Sequence, residues 1–241
     1  MKALVLSIFA ILATLCASKA ENNITLTTYA ANHYLSFGSG RVLSKDPVIQ
    51  TDVRISYGTG IYLDLWGSRS LKGKANSRSL GNEIDYGLGW RGLVAPHLTL
   101  DVGVTYFDEP KVGRLGAGDI IYTHANLTRD YSFAAVTLGY ENYVTMPRSG
   151  FQGGNLCTLG VSKGWSLCSD KVGVHASAAA VYDTGTLGTK PGFLFRGNAG
   201  VDYKQSKHVT FNLIGANWYA PVTGIGTKAN IMWMSGMTVS F

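Results

Sequence analysis

The sequence lacks three features that would each indicate a function: a membrane-spanning helix, a basic cluster and a set of cysteines. Beyond one apolar run at the amino terminus, no stretch approaches the about 20 apolar residues that such a helix needs. The lysines and arginines are spread along the chain, without the basic and aromatic motifs that bind nucleic acid. No further cysteine lies near Cys157 and Cys168, and His175 alone would not complete a zinc site. We therefore expect no nucleic-acid partner, no metal and no cofactor.

The amino terminus is typical of a secretory signal peptide. A short basic start precedes a run of apolar residues, and small residues stand where cleavage would occur. The run is too short to span a bilayer. Cys16 raises the alternative of a lipoprotein, but Leu15 stands where a lipidation motif has glycine or alanine. We predict a signal peptide over residues 1–20 and a mature domain over residues 21–241.

What the sequence does contain is a repeated alternation of apolar and polar residues. Its 30 glycines and 13 tyrosines fit many short strands that are joined by tight turns. In the segments 48–57, 61–68, 83–91 and 98–107, no charge falls in the apolar phase. A lipid-facing Lys or Arg near the middle of a bilayer would cost about 2–4 kcal/mol, so a membrane barrel requires this sorting. A membrane protein without helices must close its sheet, because an open edge leaves backbone groups unsatisfied in lipid.

The alternation predicts an all-β fold: a transmembrane, antiparallel, up-and-down β-barrel of about 12 strands. The first strand is predicted near residues 24–37. The segments 119–127 and 156–167 alternate less cleanly, and without them the number of strands is about ten. The longer connections are expected outside the cell and the short turns in the periplasm. These turns are predicted at 58–60, 92–96, 129–130, 169–170 and 205–207.

Aromatic residues concentrate near the predicted strand ends, where the two interfaces of a membrane favour tyrosine and tryptophan. The alternative fold, a secreted antiparallel sandwich, also alternates, but it would bury its apolar faces in a shared core. The predicted aromatic belts favour the barrel. They comprise Tyr57, Tyr62, Trp90, Tyr106, Tyr131, Trp165, Tyr182, Tyr203, Tyr219 and Phe241.

The last predicted strand ends on an aromatic residue, Phe241, after apolar residues at every second position. It resembles the terminal strand of bacterial outer-membrane barrels, whose last aromatic residue is read by the barrel assembly machinery. The resemblance implies the outer membrane of a Gram-negative bacterium, with lipid and lipopolysaccharide as partners. A basic outer loop could contact lipopolysaccharide phosphates. Its basic residues are Arg69, Lys72, Lys74 and Arg78.

Three segments in the first half of the chain carry a more specific resemblance. They are Asp46–Gln50 (DPVIQ), Gly60–Ser68 (GIYLDLWGS) and Glu83–Gly89 (EIDYGLG). Over roughly residues 34–92 the chain resembles the TorF-type porin family, and beyond them it matches only in architecture. The resemblance implies an outer-membrane barrel that acts as a porin.

The polar phase of the strands contains the charges that would line the lumen of such a barrel. Asp64, Asp85 and Asp101 lie on three consecutive predicted strands and could form an acidic wall, with Arg54 and Arg196 on an opposing basic wall. The function predicted is passive diffusion of ions or small hydrophilic solutes. The alternative is a lumen that is closed by salt bridges. The predicted pore-lining residues are Asp52, Arg54, Asp64, Glu83, Asp85, Arg91, Asp101, Glu141, Arg196 and Asp202.

Two further functions compete with a channel. His175 and Ser177 share one strand face, as do the histidine and serine of barrel lipid hydrolases, where the imidazole takes the proton of the hydroxyl. That enzyme would need both residues to face lipid, whereas the alternation predicts that they face inward. No acidic or amide partner for the imidazole is visible in the sequence, so we expect no enzyme. The other competitor is a closed structural or adhesion barrel whose outer loops bind a partner.

Cys157 and Cys168 conflict with the predicted topology. Export to an oxidising compartment favours a disulfide. On one extended strand, however, residues 11 positions apart lie roughly 36 Å from each other, which is too far to bond. Either the strand is straight and the thiols stay apart, or the chain folds back near Lys163 and the pair closes.

Overall fold

The computed structural model describes residues 22–36, 38–72, 82–108, 119–146, 152–226 and 228–241. The predicted signal peptide and the loop residues Lys74 and Arg78 lie outside these ranges. Among the helical segments of the described residues, none is long and apolar enough to cross a membrane. The only helical segment in that part of the chain is a 3₁₀ turn at Thr186–Gly188.

Twelve antiparallel strands form one closed barrel, in which each strand pairs with its neighbours in chain order and β1 closes the sheet between β4 and β14. The prediction of about 12 strands is confirmed, and both weakly alternating segments are strands. Two short strands, β2 (Tyr34–Leu35) and β3 (Val42–Ser44), form a separate sheet. The barrel strands are β1 (Asn23–Ala31), β4 (Val48–Ser56), β5 (Ile61–Ser70), β6 (Glu83–Ala95), β7 (Leu98–Asp108), β8 (Ile120–Asp130), β9 (Ala135–Thr145), β10 (Gly154–Leu167), β11 (Val172–Asp183), β12 (Gly192–Lys204), β13 (Val209–Thr223) and β14 (Asn230–Ser240).

Closure depends on the pairing of the first and last strands. Thr25 lies opposite Ser240, and the ladder ends with two backbone bonds between Ile24 and Phe241, with N–O distances of 2.9 and 3.3 Å. Because no barrel strand is left at an edge, every strand has a hydrogen-bonded neighbour on both sides.

The connections differ in length at the two ends of the barrel. Short turns of two to four residues join strands at the end where β1 begins and β14 ends, which we call the turn end. Longer connections lie at the opposite end, which we call the loop end. Two predicted turns were misplaced, because β6 continues through the predicted turn 92–96 to Ala95 and β8 continues through Asp130. Both errors came from reading glycine or charge near a strand end as a turn.

Along a barrel strand, exposed side chains on the outer face alternate with less exposed side chains that face the lumen. On β9, Leu138 is 61% exposed on the outer surface, whereas the inward residues Glu141 and Tyr143 are buried. The apparent exception in β10 is Lys163, whose side chain lies on the outer face. It reaches the turn end and donates a hydrogen bond of 2.8 Å to the Ser132 carbonyl, so the ammonium lies beside a turn instead of the apolar band.

Strand β10 is straight, and this resolves the conflict over the cysteines. Cys157 lies on its outer face near the loop end, and Cys168 lies in the turn after it with a φ of 52°. Both are free and exposed. The two thiols are therefore separated along one strand, and the fold-back near Lys163 does not occur.

The first strand is shorter than predicted. It ends at Ala31 instead of extending towards residue 37, which lies outside the described residues, and the chain then turns into the barrel over residues 32–36 and 38–47. We call this segment the inward loop; it contains β2 and β3. The only sizeable buried cluster of apolar side chains in the described residues lies around it, at the loop end of the lumen. Its inward-facing strand residues are Ala31, Val48, Ile120, Tyr143, Leu156, Val181, Leu194, Tyr219 and Met232.

Candidate functional site

The inward loop occupies part of the lumen at the loop end. Leu35 is 0% exposed, and the Tyr34 hydroxyl donates a hydrogen bond to the Glu83 carboxylate on β6. Burial first, and then the nearby Glu83 and Asp85 carboxylates, raise the pKa of Tyr34 well above its ordinary value. The hydroxyl therefore keeps its proton and remains a donor at neutral pH.

Two further contacts fasten the loop to the opposite side of the barrel. Arg196 on β12 donates to the Gly38 carbonyl over 3.4 Å. The Arg41 guanidinium donates to the Leu187 carbonyl in the connection between β11 and β12. The loop is thus attached to wall strands and to another loop, and it crosses the lumen instead of lying over its rim.

Glycine is required where the loop meets the wall. Gly40 has a φ of +69°, and a Cβ atom there would lie 2.5 Å from Cγ of Tyr219. At Gly38 a Cβ atom would lie 2.6 Å from Leu156 and 2.7 Å from the Tyr143 hydroxyl. A side chain at Gly40 would force the loop away from the wall, whereas a side chain at Gly38 would have to displace the ends of the Leu156 and Tyr143 side chains.

A cavity of about 420 Å³ lies between the inward loop and the wall formed by β4 to β9. We call it the loop-side cavity. Aromatic rings form much of its surface: Tyr122 stacks on Phe107 with ring centroids 5.7 Å apart, and it lies 4.9 Å from the Tyr143 ring. Its charged lining consists of Asp52, Asp64, Glu83, Asp85, Glu141 and Arg196.

A second cavity of about 270 Å³ continues towards the turn end between β9 and β13. We call it the turn-side cavity. Most of its lining residues are small, and two of its polar side chains, Asn198 and Asn217, are joined by a 2.9 Å hydrogen bond. Arg196 borders both cavities. It donates to Glu141 over 3.0 Å and to Thr158 over 3.3 Å, so its side chain reaches from β12 across β11 to β10 and β9.

All ten predicted pore-lining residues lie on the inward face, but the predicted opposition of acidic and basic walls is wrong for Arg54. Arg54 on β4 lies directly opposite Asp64 on the neighbouring strand. The two form a bidentate pair with N–O distances of 2.6 and 2.7 Å. The basic group therefore lies on the acidic wall and neutralises part of it.

Asp101 is the centre of a second polar network on the inner wall. The Tyr62 hydroxyl donates to it over 2.8 Å. Nε2 of His124 lies 3.2 Å and Arg91 lies 3.9 Å from its carboxylate. Asp101 is therefore in contact with a cation as well as with neutral donors, and the predicted acidic wall of Asp64, Asp85 and Asp101 is broken by its own ion pairs.

His175 has an acidic partner that the sequence did not reveal. Its Nδ1 lies 3.2 Å from the Asp202 carboxylate on β12, and Asp202 also accepts a 2.9 Å hydrogen bond from Asn212. The expectation that no acid orients the imidazole was therefore wrong. His175 and Ser177 both face the lumen, so the lipid-facing orientation that a lipid hydrolase would need is not observed.

Sequence reasoning missed the aromatic lining of the lumen. Tyr62 and Tyr219, predicted for the membrane belts, are buried inside the barrel. Phe107 was assigned to no face, and Tyr122 lay in a segment without clean alternation. The signal for Tyr62 was present, because it shares the polar phase of its strand with Asp64. Within the described residues, no group of three or more histidine, cysteine, aspartate or glutamate side chains could hold a metal ion.

Solved structures share this architecture at low sequence identity. The NanC porin matches with a TM-score of 0.59 and 9% identity, covering 89% of this chain and 98% of its own. The KdgM porin, solved in complex with disordered oligogalacturonate, matches with a TM-score of 0.57 and 9% identity, covering 91% and 99%. The translocator domain of the autotransporter NalP from Neisseria meningitidis matches with a TM-score of 0.53 and 13% identity, covering 100% and 95%. These likenesses show the fold, which is that of outer-membrane barrels.

Comparison by sequence gives the family. A search of curated proteins finds no match. The profile of a family described as "Bacterial protein of unknown function (Gcw_chp)" matches residues 20–220. The match spans well over half of the chain, which therefore belongs to the Gcw_chp family.

Proposed function

We propose that this protein is an outer-membrane channel of the porin type, through which ions or small hydrophilic solutes diffuse passively. The observation that carries the proposal is a closed 12-strand barrel whose polar lumen still holds cavities of about 420 and 270 Å³. A lumen filled by side chains would leave no such space. The architecture shared with the NanC and KdgM porins supports the same function, as does the resemblance to TorF-type porins.

The proposed location is the bacterial outer membrane, with the loop end outside and the turn end in the periplasm. An apolar outer face around a closed sheet supports it, because lipid demands both. Lipid and lipopolysaccharide would be its neighbours. We also propose Phe241 as the residue that the barrel assembly machinery reads; its side chain is exposed beside the closing pair of strands. The proposal assigns no covalent chemistry and no cofactor to the chain.

The inward loop would set the size of the permitted solute. It occupies the lumen where the apolar cluster and Arg196 narrow the barrel, and the loop-side cavity lies directly beside it. Solutes would pass along the wall of β4 to β9 and then through the turn-side cavity. A barrel of this size is wide enough for a narrow passage but not for a broad aqueous channel.

Planar-bilayer recording of the refolded chain, without the predicted signal peptide, tests the proposal. We expect discrete conductance steps. Two neighbouring alanines on β11 provide a matched pair of variants, because Ala179 lines the turn-side cavity and Ala180 lies on the outer face. Ala179→Trp should lower the conductance of each step, and Ala180→Trp should leave it unchanged.

If the refolded chain gave no conductance steps while its heat-modifiable gel mobility showed that it was folded, the channel proposal would be wrong. The second candidate, a closed barrel that binds a partner through its outer loops, would then stand. The specific observation in its favour is the buried apolar cluster at the loop end, which joins the inward loop to residues of nine barrel strands. Equal effects of both tryptophan variants would also count against conduction through the lumen.

A further inference from the structure

Two cations lie on the outer face of the barrel near the turn end. Arg129 on β8 follows Leu127 by two positions, and Leu127 pairs with the outward residue Leu138, so Arg129 shares the outward phase of its strand. Lys163 lies in the outward phase of β10. Among the described residues of the barrel strands, these two are the only charged residues in the outward phase at this end. The lipid-facing surface therefore carries a positive charge there.

Both cations reach the same turn, which joins β8 to β9. The Lys163 ammonium donates a 2.8 Å hydrogen bond to the Ser132 carbonyl, and the Arg129 guanidinium lies 5.6 Å from the centroid of the Tyr131 ring. Ser132 directly follows Tyr131 in the chain. In the part of the chain that the structure describes, neither cation forms an ion pair with a carboxylate. Two positive charges thus meet at one turn without an anion from the described residues beside them.

The wall of the barrel has a step at this place. The last pair between β9 and β10 joins Ala135 to Ser162, whereas β10 continues to Leu167 and pairs there only with β11. The end of β10 therefore extends past the turn between β8 and β9. Lys163 is the first residue beyond the shared ladder, and its long side chain carries the ammonium to the turn and away from the apolar band.

Aromatic side chains border the two cations. The Tyr131 and Phe133 rings stack with their centroids 5.6 Å apart, and both are exposed. Trp165, the next outward residue of β10 after Lys163, is also exposed. Exposed tyrosine and tryptophan side chains prefer the headgroup region of a bilayer. The rings therefore indicate that the cations lie at the depth of the lipid phosphates.

We propose that Arg129 and Lys163 bind the phosphate of one anionic phospholipid, of the phosphatidylglycerol type, in the periplasmic leaflet. Charge complementarity carries the proposal, because a guanidinium and an ammonium that meet on a lipid-facing surface match a phosphate. A zwitterionic headgroup has the same phosphate, but its own cation weakens the attraction. The proposal rests on the proposed location, with the turn end in the periplasm, and it holds whether or not the lumen conducts.

Quenching of tryptophan fluorescence by brominated lipids tests the site on the refolded chain in phosphatidylcholine vesicles. The difference in signal between the wild-type chain and Trp165→Phe isolates Trp165, which lies beside Lys163. Brominated phosphatidylglycerol should quench this signal more strongly than brominated phosphatidylcholine does at the same mole fraction. The ratio of the binding constants of the two lipids, obtained from the quenching, measures the preference.

Four variants localise the preference. Lys163→Gln and Arg129→Gln should each lower it by about three- to fivefold, whereas Lys163→Arg keeps the charge and should keep the preference. Lys204→Gln is the matched control, because Lys204 lies at the same end of the barrel but in the inward phase of β12. It should leave the preference unchanged. Heat-modifiable gel mobility checks that each variant is folded.

The outcomes separate the lipid site from the proposed location. Equal quenching of Trp165 by the two lipids overturns the site and leaves the location intact, as does an equal loss of preference in Lys163→Gln and Lys204→Gln. If neither lipid quenches Trp165 in a folded chain, this part of the outer face does not contact lipid, and both the site and the location are wrong. A preference for phosphatidylglycerol that Lys163→Gln lowers and Lys163→Arg keeps supports the site.

Discussion

Replacing Arg196 with methionine should destabilise the barrel more than any comparable change of an inward arginine. Its guanidinium is bonded to Glu141 at 3.0 Å, and the two side chains are 22% and 9% exposed. Removal leaves the Glu141 carboxylate buried without its cation and removes a donor from the Gly38 carbonyl. Breaking a buried pair in this way costs about 3–5 kcal/mol, and the partial exposure of the arginine reduces the expected loss to about 2–4 kcal/mol.

A matched control and a double variant make the prediction specific. Arg91→Met removes a guanidinium that is 59% exposed and 3.9 Å from Asp101, so the expected loss is about 0–1 kcal/mol. The double variant Arg196→Met with Glu141→Gln removes both charges and keeps an acceptor for the Tyr143 hydroxyl, which lies 3.2 Å from Glu141. It should recover about 1–3 kcal/mol of the loss in the single variant.

The assay is urea unfolding of the refolded chain in liposomes, followed by tryptophan fluorescence, with the free energy of unfolding extrapolated to water. The reasoning would be refuted if Arg196→Met cost no more than Arg91→Met, or if the double variant showed no coupling between the two positions. Because Arg196 also fastens the inward loop, the single variant should in addition show a larger unit conductance.

Three further predictions address the loop, the cysteines and the last residue. Gly40→Ala should displace the inward loop from the wall and raise the unit conductance, because the positive φ alone costs about 1–2 kcal/mol and Tyr219 leaves no room for a Cβ atom. Gly164→Ala is the control, because a Cβ atom there would meet only one atom at 3.9 Å, and its conductance should not change. Equal conductance in the two variants would contradict the contact between Gly40 and the wall. Titration of free thiols in the unfolded, unreduced mature chain should find both Cys157 and Cys168 free. A disulfide between them would contradict the continuous strand β10, which keeps the two thiols apart. Phe241→Ala should reduce the amount of barrel inserted in the outer membrane of cells but leave the conductance of refolded protein unchanged, and normal insertion would remove its role as an assembly signal.

The barrel could be predicted from the sequence because lipid imposes a simple rule on one face of every strand. Segments such as 98–107 have apolar residues at every outward position, and no charge breaks that phase. The inward face obeys no comparable rule. Tyr122 and His124 face the lumen on β8, where the sequence has no clean alternation, because a partly filled lumen accepts rings and polar groups alike.

The inward loop could not be predicted, because the alternation of apolar and polar residues identifies strands and gives no information about a segment that leaves the sheet. A weaker signal was nevertheless present. Leu156 and Val181 lie in the inward, mainly polar phase of their strands, close to the loop end. Apolar residues there need a partner inside the barrel, and the loop provides it. The pairing of Arg54 with Asp64 was also within reach, because a four-residue turn between β4 and β5 sets their register.

Net charge is a poor guide to what such a channel would admit. The whole chain has a formal net charge of +6, which would suggest anionic solutes if charge were averaged over the molecule. Basic residues such as Lys72, Lys171 and Lys204 are exposed outside the cavities, where water and salt screen them within about 8–10 Å. The side chains that line the two cavities would lie at contact distance from any solute in the proposed channel. The local field there, and not the charge of the chain, should therefore decide the sign of the selectivity.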